Sequence, residues 1–150
     1  MPVEVLGIDH VYVTVSDLGV AEAFYDRVLV GVLGYLKASA PIGGDPHRHY
    51  YNRQFGFSIR PARTASPHDP YAPGLHHFCF RVADEAAVEQ AAHELRAAGV
   101  DATAPRYYPE YDRDYYATFF TDPDGVRLEI TNFRASRQRR MTDWDAFRPA

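Results

Sequence analysis

Hydrophobic and polar residues alternate most cleanly in two places. Ile8-Asp9-His10-Val11-Tyr12-Val13-Thr14-Val15-Ser16-Asp17 can be laid over Leu75-His76-His77-Phe78-Cys79-Phe80-Arg81-Val82-Ala83-Asp84 with the same offset from end to end. A period of two is the signature of a strand with one buried face. Val11, Val13 and Val15 then point one way, and His10, Tyr12 and Thr14 the other. In the second copy Phe78, Phe80 and Val82 share a face, opposite His77, Cys79 and Arg81. Each run closes on an aspartate suited to cap a helix. The following stretches, about Leu18 to Val32 and Glu85 to Ala98, have helical spacing, with Val20, Phe24, Val28 and Leu29 on one stripe and Ala87, Val88, Ala91 and Leu95 on the other. Gly34 and Gly99 stand where helices end.

Strand-like runs follow each helix, near Tyr35 to Ala38, His49 to Tyr51 and Gly56 to Arg60, and again near Asp101 to Ala104, Ala117 to Thr121 and Arg127 to Thr131. Asp122-Pro123-Asp124-Gly125 predicts a tight turn joining the last two as a hairpin. The pattern therefore predicts an α+β fold of two β-α-β-β-β modules, about 5–60 and 74–133. Pro61 to Gly74 holds Pro61, Pro67, Pro70 and Pro73 and reads as the linker (about 61–73). The tail 134–150, with Arg137, Arg139, Arg140, Trp144 and Phe147, reads as a packed or frayed extension, or else a contact for a partner.

The chemistry follows from the faces. Leu128 and Ile130 bury one side of their strand, so Glu129 projects to the other with Arg127 and Thr131. If every apolar face packs on helices, His10, His77 and Glu129 share the opposite surface. Two imidazoles and a carboxylate are the facial set that binds a divalent first-row metal and leaves positions open. Tyr12, Arg60, Arg81 and Arg127 fall on that face by alternation and are candidates to orient an anionic or enolised substrate. Tyr107, Tyr108, Glu110, Tyr111, Tyr115 and Tyr116 form an aromatic stretch expected in a long loop, where Tyr108 can line a ligand pocket. Glu129, Glu110 and Tyr116 are the candidates to move a proton. His47, His49 and His68 fall among Pro and Gly and read as solvated loop residues, with His49 the one that could line the pocket.

Composition narrows the classes. Of 150 residues, 46% are hydrophobic and 24% charged, which is ordinary for one globular domain. A net charge of -4 gives no electrostatic case for nucleic acid. No apolar run approaches the ~20 residues of a bilayer span. The lone Cys79 and an N-terminus unlike a signal peptide suit a cytoplasmic protein.

Ile8-Asp9-His10-Val11, Phe24-Tyr25, Gly74-Leu75-His76-His77-Phe78 and Asp122-Pro123-Asp124-Gly125-Val126-Arg127-Leu128-Glu129 together resemble the vicinal oxygen chelate superfamily, which includes glyoxalase I, fosfomycin-resistance proteins, bleomycin-resistance proteins and extradiol dioxygenases. The resemblance runs from about Val5 to Phe133. It implies that the modules curve their mixed sheet into a half-barrel around one divalent metal (Fe, Mn, Zn or Ni), with the helices outside. It also implies a homodimer, in which one site can draw ligands from two chains, and a small-molecule substrate. The expected function is that of a metal-dependent lyase, isomerase, transferase or dioxygenase. Two positions depart from the family pattern. Ser58 stands where glyoxalase I and the epimerases place a fourth, carboxylate ligand, and Phe119 stands where the dioxygenases and fosfomycin transferases place a tyrosine. The alternative is a metal-free protein that sequesters a small molecule, as the bleomycin-resistance members do; a third reading is an interaction domain acting through its tail.

Overall fold

The computed structural model of the chain describes residues 2–148. It contains two units of the same construction. Unit one holds β1 (His10–Val15), α1 (Leu18–Tyr25), β2 (Leu36–Ile42), β3 (Asp45–Tyr51) and β4 (Gly56–Pro61). Its four strands are ordered β1-β4-β3-β2, with β1 parallel to β4 and the other pairs antiparallel. Unit two repeats this with β5 (His77–Val82), α2 (Glu85–Ala97), β6 (Arg106–Tyr107), β7 (Tyr116–Thr121) and β8 (Arg127–Asn132), ordered β5-β8-β7-β6. The architecture is the expected α+β fold of two βαβββ modules, each with an open mixed sheet. The boundary between units falls between Asp69 and Pro70, and the turn Asp122–Gly125 groups with unit one.

Both aspartate caps form. Asp17 Oδ1 accepts from Val20 N and Asp84 Oδ1 from Ala87 N, each at 2.9 Å. Gly34 (φ 69°) and Gly125 (φ 85°) occupy the left-handed region that their turns require.

The first helix departs from expectation in its second half. Residues Asp26–Val32 form a π-helical stretch rather than continuing α1. Both Val28 and Leu29 are fully buried there, as adjacent residues on a wider turn can be. The buried stripe runs through Ala21, Phe24, Tyr25 and Val28, while Val20 is 54% exposed. Val20, assigned to the stripe from spacing, therefore lies outside the buried one, because the sheet that α1 packs on covers Ala21 in its place.

Two other elements differ. The segment 101–104 is not a strand. Arg96 reaches the carbonyls of Ala102 and Thr103, Thr118 Oγ1 also donates to Thr103 O, and Pro105 has no N–H for a ladder, so regular pairing is delayed to β6. Residues 45–48 are strand, not loop, and carry His47 into the sheet. The tail forms an exposed helix, α3 (Ala135–Thr142), followed by a short turn of helix at Trp144–Phe147. No helix among the described residues is long and apolar enough to cross a membrane.

Each core lies between sheet and helix. In unit one it contains Val13, Val15, Tyr50, Phe57 and Ile59 with the α1 stripe; in unit two, Phe80, Val88, Leu95, Leu128 and Ile130. On the edge of the first core, Glu22 pairs with Arg48 and Lys37 at 2.7 and 2.6 Å. Arg48 chiefly, and then Lys37, hold the Glu22 carboxyl below its ordinary pKa. A depressed carboxylate stabilises the fold above its unfolded pKa, and that contribution disappears as pH falls through the folded value. Glu22→Gln should therefore lower stability by ~1 kcal/mol near neutrality. In thermal melts at several pH values, the gap to the parent protein should close as the pH falls below the ordinary carboxylate range.

Candidate functional site

In unit two, β5 lies parallel to β8 in the register His77 with Arg127 and Cys79 with Glu129. Alternation sends Leu128 and Ile130 into the helix side, where both are fully buried. Glu129 and His77 are left on the opposite face. His77 Nε2 and Glu129 Oε2 lie 3.6 Å apart, too long for a hydrogen bond. Two ligands at about 2.1 Å from one ion and a tetrahedral angle apart are separated by roughly 3.4 Å, so this pair fits a shared divalent cation.

The surroundings leave the right atoms open. His77 Nδ1 is 2.8 Å from His76 Nδ1, which directs Nε2 to the carboxylate. Glu129 is 2% exposed, and its other oxygen, Oε1, accepts from the Tyr115 hydroxyl. A buried carboxylate needs such partners, because an unpaired charge out of water is costly. Burial and the Glu129 carboxylate push the Tyr115 hydroxyl and the Cys79 thiol up, Cys79 to about 12, so both remain protonated at neutral pH. Arg134, itself buried, lies 4.3 Å from the Tyr115 ring centre and bonds Asp112 at 3.1 Å, fixing the ring that holds Glu129.

The sequence offers Tyr115 only as part of the aromatic stretch and Tyr116 as the candidate to move a proton. Tyr116 instead points to the helix side, where its hydroxyl bonds Glu89. Its side follows from parity once the β7–β8 register is known. Phe119 pairs with Glu129, so Ala117 and Tyr115 share the carboxylate's face and Tyr116 cannot. Glu110 sits exposed in the turn after β6, with no shielding from water. Tyr108 is buried, with the Arg106 guanidinium 3.8 Å from its ring centre and Tyr111 stacked on it at 5.6 Å. Arg81 lies over Phe133 at 4.3 Å, and Arg127 over Tyr71 at 5.2 Å.

If Tyr115 orients Glu129, Tyr115→Phe should cost about 1–3 kcal/mol in the metal-free protein, because the buried carboxylate loses its donor. Tyr116→Phe should stay within about 0.5 kcal/mol, since it loses only a bond at the surface. Denaturant titration in the presence of a chelator distinguishes the two.

Unit one carries His10 at the start of β1. Its Nδ1 lies 2.5 Å from Asp9 Oδ1, an arrangement that orients a metal-binding imidazole and presents Nε2. Tyr12 follows on the same face, with its ring 5.5 Å from those of both His10 and His47. Arg60 donates to Asp45. Ser58, at the position equivalent to Glu129, is bonded to His49 Nδ1 at 2.9 Å. His47 and His49 thus belong to the sheet face and not to solvated loops. Of the expected ligand set, His77 and Glu129 are brought together within unit two. Among the described residues, no three His, Cys, Asp or Glu side chains form a group that could hold a metal ion.

Comparison with known proteins gives these arrangements a context. A sequence model of the Glyoxalase/Bleomycin resistance protein/Dioxygenase superfamily matches residues 7–130. The uncharacterized Escherichia coli protein YaeR is 31% identical over 128 residues, covering 82% of this chain and 93% of YaeR. A glyoxylase/bleomycin resistance protein/dioxygenase domain from Frankia sp. EAN1pec superposes with a TM-score of 0.71 at 21% identity, over 87% of this chain and all (100%) of that one. A variant of the fosfomycin resistance protein FosX from Listeria monocytogenes, complexed with Mn(II) and 1S,2S-dihydroxypropylphosphonic acid, superposes at 0.65 with 15% identity, over 90% and 98% of the two chains.

Proposed function

The chain belongs to the Glyoxalase/Bleomycin resistance protein/Dioxygenase superfamily, and from that premise we propose that it is a divalent-metal-dependent enzyme acting on a small oxygen-rich molecule. His77 and Glu129 of one protomer hold the metal, and His10 of a second copy in a homodimer completes the set. The observation that carries this reading is the approach of His77 Nε2 to within 3.6 Å of a carboxylate that is otherwise buried. The donors are two nitrogens and one oxygen, which suits Fe, Mn, Zn or Ni and leaves room for substrate oxygens. FosX, a fold relative, is seen with Mn(II).

When bound, such a metal supplies a Lewis acid for adjacent oxygens of the substrate. The chain's own groups do the rest. Tyr115 keeps Glu129 Oε1 occupied, so that Oε2 alone faces His77. Arg127 stands directly across the ladder from His77. Swung off Tyr71, its guanidinium would hold an anionic or enolised oxygen next to the ligands. The metal-free sequestering alternative drew on the aromatic loop, whose rings Tyr108 and Tyr111 stack on each other.

The test is metal analysis of untagged protein followed by turnover assays on catechols, dicarbonyls and thiol adducts. Metal-loaded protein should convert one of these classes and lose that activity on chelation. Protein that is active on one of them without metal would sink the proposal.

A further inference from the structure

The face of unit one turned from its helix carries a second polar group of side chains, none of them a proposed metal ligand. β3 places Asp45, His47 and His49 on it; β1 adds Tyr12, and β4 adds Ser58 and Arg60. Ser58 is registered with both Tyr12 and His49, and Arg60 and His47 each stand one residue beyond the registered pair Arg48 with Ile59.

One atom in this group lacks what burial demands. His47 is 3% exposed, and its Nε2 is buried with no hydrogen-bond partner among the described residues. Buried polar atoms are nearly always paired, so an orphan of this kind points to a partner that arrives from outside the chain. Its other nitrogen, Nδ1, lies 3.5 Å from the Tyr12 hydroxyl. In the neutral tautomer that accepts from Tyr12, the proton sits on Nε2, and the orphan is a donor that needs an acceptor. Burial chiefly, then the nearby Arg60 and His49, hold the His47 pKa below the usual imidazole value, which keeps that neutral form at neutral pH.

The charges around it select the kind of acceptor. Arg60 and Arg63 both pair with the single carboxylate of Asp45, Arg63 Nη2 at 2.9 Å. Two guanidiniums on one carboxylate leave one positive charge uncompensated, which repels a cation and attracts an oxyanion. The exposed Arg63 can keep Asp45 paired if Arg60 turns to a ligand.

We propose that this face is an oxyanion-binding site, in which Arg60 and His47 Nε2 together take the carboxylate or phosphate group of a small molecule. The face also carries His10, whose ring lies 5.5 Å from that of Tyr12, but the proposal does not rest on the metal reading, because the anion's donors are Arg60 and His47 alone.

The test uses the full-length protein with inorganic phosphate and, separately, acetate as probes, following the His47 ring resonances by NMR. Saturable shifts are expected with one or both, and the tighter probe tells phosphate from carboxylate ligands. Arg60→Gln should weaken binding at least about tenfold. Asp45→Asn should tighten it, because Arg60 is released from its internal partner, and a gain of this kind does not arise from misfolding. Chelator-treated parent protein should bind the probes as the untreated protein does. No response of His47 to either anion at tens of millimolar, an undiminished response in Arg60→Gln, or no tightening in Asp45→Asn would each overturn the proposal.

Discussion

Untagged protein is expected to carry about one divalent metal ion per chain, and Glu129→Ala, His77→Ala and His10→Ala should each lower affinity by on the order of 100-fold or more. The three losses share a cause, since removing any one donor leaves a two-ligand site that water must complete. The background of each differs. His10 and His77 are substantially exposed, so their alanine variants should fold as the parent does. Glu129 is buried against Tyr115, so Glu129→Ala loses metal and also leaves a hydroxyl without its acceptor. Full metal occupancy surviving all three changes would discard the ligand set. Co-expressed His10→Ala and Glu129→Ala chains provide a further test. If ligands come from two copies, a mixed dimer has one intact site and one lacking both donors, so metal should return to about half of the sites in isolated mixed dimers, or about a quarter of all sites after random pairing. Two inactive variants that stay metal-free when mixed would place all three donors in one chain.

Leu128→Ala should destabilise the protein by about 2–5 kcal/mol, and Val20→Ala by no more than about 0.5 kcal/mol. Both remove the same kind of apolar bulk. Leu128 is fully buried next to the ligand strand position, where truncation leaves a cavity the sheet cannot collapse, whereas Val20 is 54% exposed. Calorimetric melting should separate them by several degrees or more at this chain length. Equal effects would return Val20 to the buried stripe. Because Leu128 and Glu129 are neighbours on opposite faces, Leu128→Ala should also loosen Glu129 and weaken metal retention.

Much of the fold is legible in the sequence. Period-two alternation identified β1 and β5 and assigned His10, Tyr12 and His77 to the open side, because one slipped residue would have exposed a whole apolar face. The two aspartate caps and the glycines after the helices were equally readable, since each answers a local demand of the backbone. The failures fell where local signals are weak or shared. Asp45 to Arg48 carry prolyl, acidic and basic residues that suggest a loop, yet they complete an antiparallel ladder with β2. Asp101 to Ala104 look like a strand, yet Arg96 occupies two of their carbonyls. Val20 fits a helical stripe on spacing, but the stripe's phase depends on the sheet it meets.

What the chain determines by itself, then, is the repeated βαβββ plan and the set of residues on each strand's polar face, because both follow from short-range periodicity. Only tertiary structure decided which of those residues meet. Tyr115 lies outside any strand, and reaches Glu129 because its backbone is held by Tyr108 N at 2.8 Å and its ring by Arg134. His47 became a buried imidazole with an orphaned nitrogen because β1, β3 and β4 converge around it. Contacts of this kind depend on the register of strands far apart in sequence, and no local pattern encodes that distance.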